Sequence, residues 1–463
     1  MNWHDKSVLV LGAGDTGVSI VAYLRGLGAH VRAADSREGG AGVDLIRGRG
    51  CDVVTGPFTD ALFSDAELIV ASPGVAIAGP ACDAPIKRAR AAGKKFIGDI
   101  ELFAWHQNEL VKQTGHRPKL IAITGSNGKS TVTAMAHAMC AAAGLRSVMA
   151  GNIGVPVLDT LNDPAPDVYV LELSSFQLET TESLAVDAAA MLNLSQDHLD
   201  RYAGMKEYAA AKARIFAHTS HQVLNRDDAA TFAMRRDAAS LATFGLSKPT
   251  ADNEFGLYDG NLCFGQNAIF SLAAMPLAGL HNAANALAAF ALGHAIGADV
   301  EKMADGLRQF RGLPHRVQPV GVINGVTFYD DSKGTNVGAT VAALSGMTTQ
   351  VVLIAGGVGK EQDFSPLAEP LMRRGRAVVL IGKDARLIES AITSSRVPVE
   401  HAKTMADAVE SAYRRAVSGD AVLLSPACAS FDMFKNYHHR GEIFAADVAA
   451  LKRRIEAGGR HAL

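Results

Sequence analysis

Short runs of aliphatic and β-branched residues recur along the chain and alternate with segments long enough to form helices. These runs occupy residues 8–11, 68–71, 120–124, 168–173, 351–355, 378–381 and 422–425. Continuous apolar strands that alternate with helices are typical of parallel sheets covered on both faces. The pattern therefore predicts an α/β fold throughout. Between two shorter strand-like pieces, Asp259-Gly260 predicts the turn of a β-hairpin.

Two interruptions of this pattern divide the chain into three predicted domains. Residues 113–118 form a polar stretch, and residues 312–314 read Gly-Leu-Pro, where the proline disfavours continuation of a helix. We therefore expect domains at residues 1–112, 113–312 and 313–463.

Composition and charge exclude several classes of protein. The 463 residues are 48% hydrophobic and carry a formal net charge of only -2, which favours neither nucleic acid nor an anionic membrane surface as a partner. The most apolar long stretch, residues 283–298, is interrupted by Asn285, Gly293 and His294, so no membrane span is expected. The N-terminus lacks the features of a signal peptide, and the five cysteines are widely spaced. These features predict a cytoplasmic protein.

The strongest chemical signal is a glycine-rich loop between the run at 120–124 and a helical segment at 132–143. Its candidate phosphate-binding residues are Gly125, Ser126, Asn127, Gly128, Lys129, Ser130 and Thr131. Backbone amides and a helix N-terminus attract phosphate, a lysine reaches the outer phosphates, and a hydroxyl can bind Mg²⁺. The first glycine of the general phosphate-loop pattern would fall at Ile123, so this loop is a shorter variant. The alternative is a glycine-rich turn with an incidental lysine.

A carboxylate is expected at the end of a neighbouring strand, since one hydroxyl alone would fix Mg²⁺ loosely. Glu172, at the end of an apolar run, fits that position. Taken alone, a glutamate at a strand end is more often a solvent-exposed surface charge.

A second glycine-rich motif follows the first predicted strand. Residues 12–17 read Gly-Ala-Gly-Asp-Thr-Gly, and Asp35 ends the next predicted strand, as in a dinucleotide-binding fingerprint. The motif alone leaves open a nicotinamide-dependent oxidoreductase or a turn without a ligand. A hydride-transfer enzyme has no use for the phosphate loop, whereas a nucleotide-linked substrate resting on the first helix would explain both loops.

Several motifs in a fixed order together carry a family resemblance. They are TGSNGKS at 124–130, GNIG at 151–154, LELSSFQ at 171–177, DHLDR at 197–201, HN at 281–282, GLPHR at 312–316 and DSK at 331–333. The chain resembles the Mur ligase family over essentially its whole length. The motifs at 334–336 and 425–432 are most similar to members that add D-glutamate to UDP-N-acetylmuramoyl-L-alanine. Gly334 and Val358 depart from some relatives, which leaves the choice and handedness of the amino acid open.

The resemblance implies an ATP-dependent carboxylate–amine ligase of peptidoglycan precursor synthesis, working through an acyl phosphate and a tetrahedral intermediate. It implies a Rossmann-like N-terminal domain for the UDP-linked substrate and a central P-loop ATPase domain with a mostly parallel sheet. A Rossmann-like C-terminal domain would bring the amino acid. The expected partners are UDP-N-acetylmuramoyl-L-alanine and glutamate, and the protein is expected to be a monomer.

The resemblance also implies roles for individual residues. The expected catalytic residues are Lys129, His198, Lys212 and Arg316. ATP would contact the phosphate loop (Gly125 to Thr131) together with Asn282, Asn285, Arg316, Asp331 and Lys333. The UDP-linked substrate would contact Asp15, Thr16, Asp35, Ser36, Arg37, Asn152, Ser174 and Gln177. The amino acid would contact Thr335, Lys360, Ser430 and Tyr437.

Two Mg²⁺ sites are implied, served by Ser130, Glu172, His198 and a carbamylated Lys212. Carbamylation turns the lysine cation into an anion that a dication can bind. From its spacing alone, Lys212 would be a solvent-exposed lysine on a helix.

Two further alternatives share the phosphate loop. A nucleotide-gated binding module would not need Lys212, Arg316 and the C-terminal motifs together. A ligase that adds glutamate to folate would not need the N-terminal glycine-loop domain.

Overall fold

The computed structural model describes residues 3–162, 165–237, 239–277 and 279–459. The described residues form three sheets flanked by helices, which confirms the α/β prediction. They fall into two compact units. The first unit comprises Met1–Leu194, Asp200–Ala274 and Ala284–Gln309, and the second comprises Ser195–Leu199, Met275–Ala283 and Phe310–Leu463. The first unit holds two sheets and the second unit holds one.

The N-terminal sheet is parallel, with the described strands in the order β3-β2-β1-β4-β5. Its strands are β1 (Ser7–Leu11), β2 (His30–Asp35), β3 (Asp52–Thr55), β4 (Leu68–Ala71) and β5 (Phe96–Ile97). Its helices are α1 (Asp15–Gly26), α2 (Ala41–Gly48), α3 (Ala84–Ala91) and α4 (Asp99–Thr114). Val8 and Val10 pack into one apolar cluster, and Leu9 and Leu11 pack into another. Both faces of β1 are therefore buried, which is why its sequence is continuously apolar.

The central sheet has the described order β14-β13-β12-β11-β10-β9-β6-β8-β7. Its strands are β6 (Lys119–Thr124), β7 (Ser147–Gly151), β8 (Val168–Glu172), β9 (Val186–Met191), β10 (Thr219–Asn225), β11 (Ser240–Phe244), β12 (Glu254–Tyr258), β13 (Asn261–Phe264) and β14 (Asn267–Ser271). Its helices are α5 (Lys129–Ala142), α6 (Ser175–Glu179), α7 (Met205–Ala213), α8 (Ala229–Phe232), α9 (Leu280–Ala295) and α10 (Val300–Gln309). Neighbouring strands among β6 to β12 pair in parallel. The predicted hairpin at Asp259-Gly260 joins β12 to β13, which is antiparallel to it.

The C-terminal sheet has the described order β15-β16-β20-β17-β18-β19, with only the edge pair β15 and β16 antiparallel. Its strands are β15 (Gln318–Ile323), β16 (Val326–Asp330), β17 (Val351–Gly356), β18 (Gly375–Ile381), β19 (Val399–His401) and β20 (Ala421–Leu424). Its helices are α11 (Val337–Gly346), α12 (Ala368–Arg374), α13 (Ala385–Ala391), α14 (Met405–Arg415) and α15 (Tyr437–Gly459). Leu353 and Ile354 pack into different clusters, so β17 is also covered on both faces.

Among the described residues, no helix is both long enough and apolar enough to span a bilayer. All five cysteines are buried as free thiols.

Candidate active site

The phosphate loop lies where the sequence predicts it, between β6 and the N-terminus of α5. Gly128 begins the helix with a φ of 82°, a left-handed conformation that favours glycine. Lys129 folds back onto the loop, and its Nζ donates to the carbonyl oxygens of Gly125 (2.8 Å) and Ser126 (2.9 Å). A terminal phosphate could replace these carbonyl oxygens as the acceptor of the ammonium group.

Asn193 stabilises this loop through hydrogen bonds, although none of the sequence motifs included it. Its Oδ1 accepts from the Asn127 amide (2.8 Å), its Nδ2 donates to the Asn127 carbonyl (3.0 Å), and its own carbonyl accepts from the Ser126 amide (2.9 Å). Asn193 follows β9, which pairs with β6. The signal that could have found it is an asparagine placed two residues after the strand next to the phosphate-loop strand.

Asn285 lies against the same loop. A Cβ built at Gly128 would be only 2.7 Å from the Asn285 Oδ1. The structure therefore brings this predicted ATP-binding residue to the phosphate loop within the first unit.

Lys212 is buried, which contradicts the solvent-exposed position that its spacing alone suggests. Its side chain lies on α7 and is 1% exposed, with Nζ 2.8 Å from the Gly125 carbonyl oxygen and 3.4 Å from the Thr124 Oγ1. The same Nζ lies 4.8 Å from the centre of the Tyr208 ring. The amine of Lys212 therefore reaches the first residues of the phosphate loop.

Glu172 is the carboxylate that was expected on a neighbouring strand. It ends β8, which pairs with β6, and its register partner is Ile123 near the end of β6, two residues before the loop. Its Oε1 accepts from the Asn152 Nδ2 at 2.8 Å. Its Oε2 is buried and has no hydrogen-bond partner among the described residues. An orphaned buried carboxylate oxygen beside a phosphate loop suits a hard cation as its missing partner.

The start of α6 places Ser174 and Gln177 together in a capping box. The Ser174 Oγ accepts from the Gln177 amide at 3.2 Å, and the Gln177 Oε1 accepts from the Ser174 amide at 3.1 Å. The Gln177 Nε2 donates to Asp99 Oδ2 at 3.1 Å. Burial raises the pKa of Asp99 to about 6. Gln177 is buried and bonded internally, whereas Ser174 is only half-buried.

The N-terminal glycine loop is held by Asp35, which ends β2 as predicted. Its Oδ2 accepts from the Ala13 amide at 2.7 Å. Arg37 binds the same carboxylate with its amide and with two guanidinium nitrogens. This arginine lowers the pKa of Asp35 to about 2. Asp15 and Ser36 are exposed beside this pair.

The third glycine of this loop is required by close packing. A Cβ at Gly17 would lie 1.9 Å from the carbonyl oxygen of Gly12, so no larger residue fits at this turn. The remaining predicted contact, Thr16, is partly exposed at the start of α1.

Arg201 links the loop after β4 to α6 within the first unit. Its guanidinium donates to the carbonyl oxygens of Pro73 (2.9 Å) and Val75 (3.4 Å) and pairs with Glu179 at 3.2 Å. It also lies 3.8 Å from the ring centre of Phe176. The motif at 197–201 contains Arg201, but no sequence pattern indicated this linking role.

In the second unit, two of the predicted nucleotide-binding residues, Asp331 and Lys333, follow β16. The carboxylate of Asp331 accepts from the Ser425 hydroxyl at 2.7 Å. Burial raises the pKa of Asp331 to about 7, and the nearby positive charge of Arg316 acts in the opposite direction. Lys333 Nζ lies 3.9 Å from the centre of the Tyr437 ring. Asn282 is buried in the first turn of α9.

The carboxylate of Asp197 contacts three side chains of the second unit. It lies 3.3 Å from Lys360 Nζ, 3.2 Å from Asn336 Nδ2 and 3.5 Å from His198 Nε2. His198 has a φ of 57°, an uncommon backbone conformation for a residue other than glycine. The sequence indicated His198 and Lys360 separately, and the buried carboxylate that joins them was not predicted.

The remaining predicted residues of the second unit are Thr335, Ser430 and Tyr437. Thr335 follows Lys333 and precedes Asn336, which caps α11. Ser430 is buried, and Tyr437 begins α15.

No group of three or more His, Cys, Asp or Glu side chains in the described part of the chain could by itself hold a metal ion. A cation at Glu172 would therefore draw its other ligands from hydroxyl or phosphate oxygens, or from a modified side chain.

Family models match the chain in the order of its sheets. Residues 6–98 match the N-terminal domain of MurD-like Mur ligases, residues 123–293 match the Mur ligase middle domain, and residues 315–428 match the Mur ligase glutamate ligase domain. The chain belongs to the Mur ligase family. Mur ligases are ATP-dependent enzymes that form amide bonds and use Mg²⁺, and the protein is such a ligase.

Curated relatives of this Mur ligase match it over nearly its whole length. UDP-N-acetylmuramoylalanine--D-glutamate ligase from Methylobacillus flagellatus is 53% identical, over 97% of this chain and 98% of the relative. The protein of the same name from Thiobacillus denitrificans is 52% identical, over 96% of each chain.

Solved structures share the fold of this Mur ligase at low sequence identity. UDP-N-acetylmuramate-alanine ligase from Thermotoga maritima has a TM-score of 0.60 at 19% identity and covers 97% of this chain and 100% of its own. Folylpolyglutamate synthase from Mycobacterium tuberculosis, with a TM-score of 0.53 and 17% identity, covers only 70% of this chain and 92% of its own. The match of residues 6–98 to a Mur ligase N-terminal domain argues against the oxidoreductase as an interpretation of the glycine loop, and against the folate ligase, which would not need this domain.

Proposed function

We propose that this Mur ligase adds D-glutamate to UDP-N-acetylmuramoyl-L-alanine in cytoplasmic peptidoglycan precursor synthesis and acts as a monomer. The observation that carries the proposal is the whole-length similarity, at 53% identity, to a relative named for this reaction. The phosphate loop with Lys129 and the orphaned Glu172 oxygen supply the ATP chemistry that the reaction requires.

The reaction forms and breaks bonds in two stages. The alanine carboxylate attacks the γ-phosphorus of ATP, which gives an acyl phosphate and releases ADP. The amine of glutamate then attacks the activated carbonyl, and the tetrahedral intermediate collapses to an amide and inorganic phosphate. Transfer of the phosphoryl group depends mainly on alignment and on neutralisation of charge.

Lys129, the loop amides and Arg316 supply that neutralisation in our proposal. Lys129 exchanges its two loop carbonyl partners for phosphate oxygens when ATP binds. The N-terminus of α5 adds a partial positive charge at the same place. Asn285, Asn282, Asp331 and Lys333 hold the rest of the nucleotide, together with the other loop residues from Gly125 to Thr131.

Ser130 and Glu172 would hold one Mg²⁺, which stabilises negative charge on the phosphate oxygens. The Glu172 oxygen that lacks a partner among the described residues supports this assignment. A second Mg²⁺ would be served by His198 and by Lys212 as its carbamate.

The carbamate on Lys212 is supported by the burial of its side chain beside the loop. The lysine is 1% exposed, and its amine lies 2.8 Å from the Gly125 carbonyl oxygen of the phosphate loop rather than in solvent. Carbamylation would convert this buried cation into an anion that suits a dication. Carbon-13 NMR of protein equilibrated with labelled bicarbonate should show one carbamate signal that Lys212→Met removes and Lys206→Met, on the same helix, retains.

The UDP-linked substrate and glutamate are assigned to separate sets of residues. The UDP-linked substrate would contact Asp15, Thr16, Asp35, Ser36 and Arg37, and its muramoyl-alanine part would contact Asn152, Ser174 and Gln177. Glutamate would contact Thr335, Lys360, Ser430 and Tyr437. We assign binding of the UDP-linked substrate to a domain at residues 1–112, binding of ATP to a domain at residues 113–312 and binding of the amino acid to a domain at residues 313–463.

Release of phosphate with alternative amino acids tests the proposal directly. Purified protein with ATP, Mg²⁺ and UDP-N-acetylmuramoyl-L-alanine should release phosphate with D-glutamate and much more slowly with L-glutamate, D-aspartate or D-alanine. Lys129→Ala should abolish the release, whereas Lys112→Ala, at an exposed lysine of α4, should not. Equal rates with every amino acid, or full activity of a folded Lys129→Ala variant, would contradict the proposal.

A further inference from the structure

Arg440 is a fully buried cation that none of the sequence motifs indicated. It lies on α15 and is 0% exposed. Burial lowers the pKa of its guanidinium to about 10, so the group is still charged at neutral pH. A charge is retained in the interior of a protein only where partners satisfy its donors. The partners of Arg440 therefore indicate what the residue does.

The guanidinium bonds to two separate segments. Nη2 donates to the Ser332 carbonyl oxygen at 2.8 Å, and Nε donates to the Ser332 Oγ at 3.0 Å. Nη1 donates to the Cys428 carbonyl oxygen at 3.1 Å. The Ser332 hydroxyl in turn donates to the Tyr437 carbonyl oxygen at 2.8 Å. One side chain thus ties together the turn after β16, the loop after β20 and the start of α15.

These three segments carry three of the four residues assigned to glutamate. Thr335 lies in the turn after β16, Ser430 lies in the loop after β20, and Tyr437 begins α15. The fourth residue, Lys360, is two residues from Val358, whose backbone pairs with Ala429 in both directions (3.0 and 2.9 Å). The relative placement of the whole set therefore depends on the segments that Arg440 joins.

The charges around Arg440 fit the same role. Asp330, Asp331 and Asp432 all act on the guanidinium through their negative charge. Asp330 also accepts from the Ser332 amide at 2.9 Å and pairs with His315 at 2.7 Å. An uncharged residue at position 440 would leave these carboxylates without a shared counter-charge and the carbonyls of Ser332 and Cys428 without donors.

We infer that Arg440 is a positioning residue for the amino-acid substrate, holding the segments of Thr335, Ser430 and Tyr437 in one arrangement. This inference rests on the proposed function. Arg440 touches no reacting atom in this role and acts through the backbone of Ser332 and Cys428.

Steady-state kinetics with two Arg440 variants test the inference. Arg440→Met removes the donors but retains the apolar stem, and Arg440→Lys keeps the charge without the planar fork. Arg454→Met is the matched control, because Arg454 lies on the same helix, is exposed and pairs with Glu410 at the surface. Phosphate release is measured against the concentrations of D-glutamate and of UDP-N-acetylmuramoyl-L-alanine separately.

Arg440→Met should raise the KM for D-glutamate about tenfold or more, because misplacement of binding groups by a fraction of an ångström is costly. The KM for the UDP-linked substrate should stay within about twofold of the wild-type value. Arg440→Lys should fall between Arg440→Met and the wild type, and Arg454→Met should match the wild type in both constants.

The outcomes separate this inference from the proposed function. No phosphate release by the wild type with any amino acid would overturn the proposed function and this inference with it. An active wild type, with an unchanged KM for D-glutamate in Arg440→Met, would overturn the inference alone. Equal increases in both KM values would do the same, since they indicate a general loss of structure. If Arg440→Met does not fold, the same comparison in Arg440→Lys decides.

Discussion

Replacement of Gly128 by alanine should damage both the stability of the phosphate loop and its binding of ATP. Gly128 has a φ of 82°, which costs an L-residue roughly 1–2 kcal/mol. The added Cβ would lie 2.7 Å from Asn285 Oδ1 and 3.6 Å from the Leu192 side chain. Real Cβ atoms do not approach an oxygen so closely, so the Asn285 side chain must move. Loss of one hydrogen-bonding group from a nucleotide site costs about 1 kcal/mol, or about a fivefold rise in KM for ATP.

Gly144→Ala separates backbone strain from this contact. Gly144 follows the other end of α5 with a φ of 89°, and a Cβ there would meet no atom within 4 Å. Both variants should lose the same backbone penalty in free energy of unfolding, measured with urea, and Gly128→Ala should lose in addition the cost of moving the Asn285 side chain. Only Gly128→Ala should raise the KM for ATP, measured by phosphate release. An unchanged KM for ATP in Gly128→Ala, or an equal rise in Gly144→Ala, would refute the assignment of Asn285 to the nucleotide site.

Three further predictions follow from the first unit. Asp35→Asn should lower the free energy of unfolding by about 1–2 kcal/mol at pH 7, since the pKa of Asp35 falls to about 2 in the folded state. That stabilisation is present above the unfolded pKa near 4 and is lost as the pH falls towards 2. In urea unfolding, the difference between the variant and the wild type should therefore shrink in acid, and a difference that does not change with pH would argue against the ion pair. Glu172→Gln should raise the Mg²⁺ concentration for half-maximal phosphate release about tenfold, because a neutral amide binds a dication weakly; an unaltered Mg²⁺ titration would exclude Glu172 as a ligand. Arg201→Met should raise the KM for the UDP-linked substrate but not for ATP, because it frees the loop at Pro73 and Val75. A selective rise in the KM for ATP would count against this role.

Much of the fold follows from local sequence patterns. The predicted runs coincide with buried strands, and Asp259-Gly260 forms the expected hairpin. In β1 and β17, successive side chains pack into clusters on opposite faces, which explains why the runs are continuous rather than alternating. The helix after the phosphate loop begins at Lys129 rather than at residue 132, since Gly128 is its N-cap residue and the Gly128 carbonyl oxygen already accepts from the Val132 amide at 2.9 Å.

Local sequence patterns predicted only part of the candidate site. The phosphate loop and the position of Glu172 follow from strand order, because parallel strands end at the same edge of a sheet. Asn193 and Asp197 were missed as individual residues, since each acts through partners distant in sequence. Two residues assigned to substrates, Gln177 and Asp35, make internal bonds that no motif indicated.

By itself, the sequence determined the α/β class, the phosphate loop and the order of the family motifs, because these depend on residues that are neighbours along the chain. Only the tertiary structure decided which charged side chains are buried. Lys212 and Arg440 both lie on helices, where a lysine or an arginine is ordinarily solvent-exposed. Their burial depends on distant residues, namely Gly125 and Thr124 for Lys212 and Ser332 and Cys428 for Arg440. Such partners exist only after the sheets have assembled, since the free energy that retains a buried cation comes from acceptors that the chain brings from elsewhere.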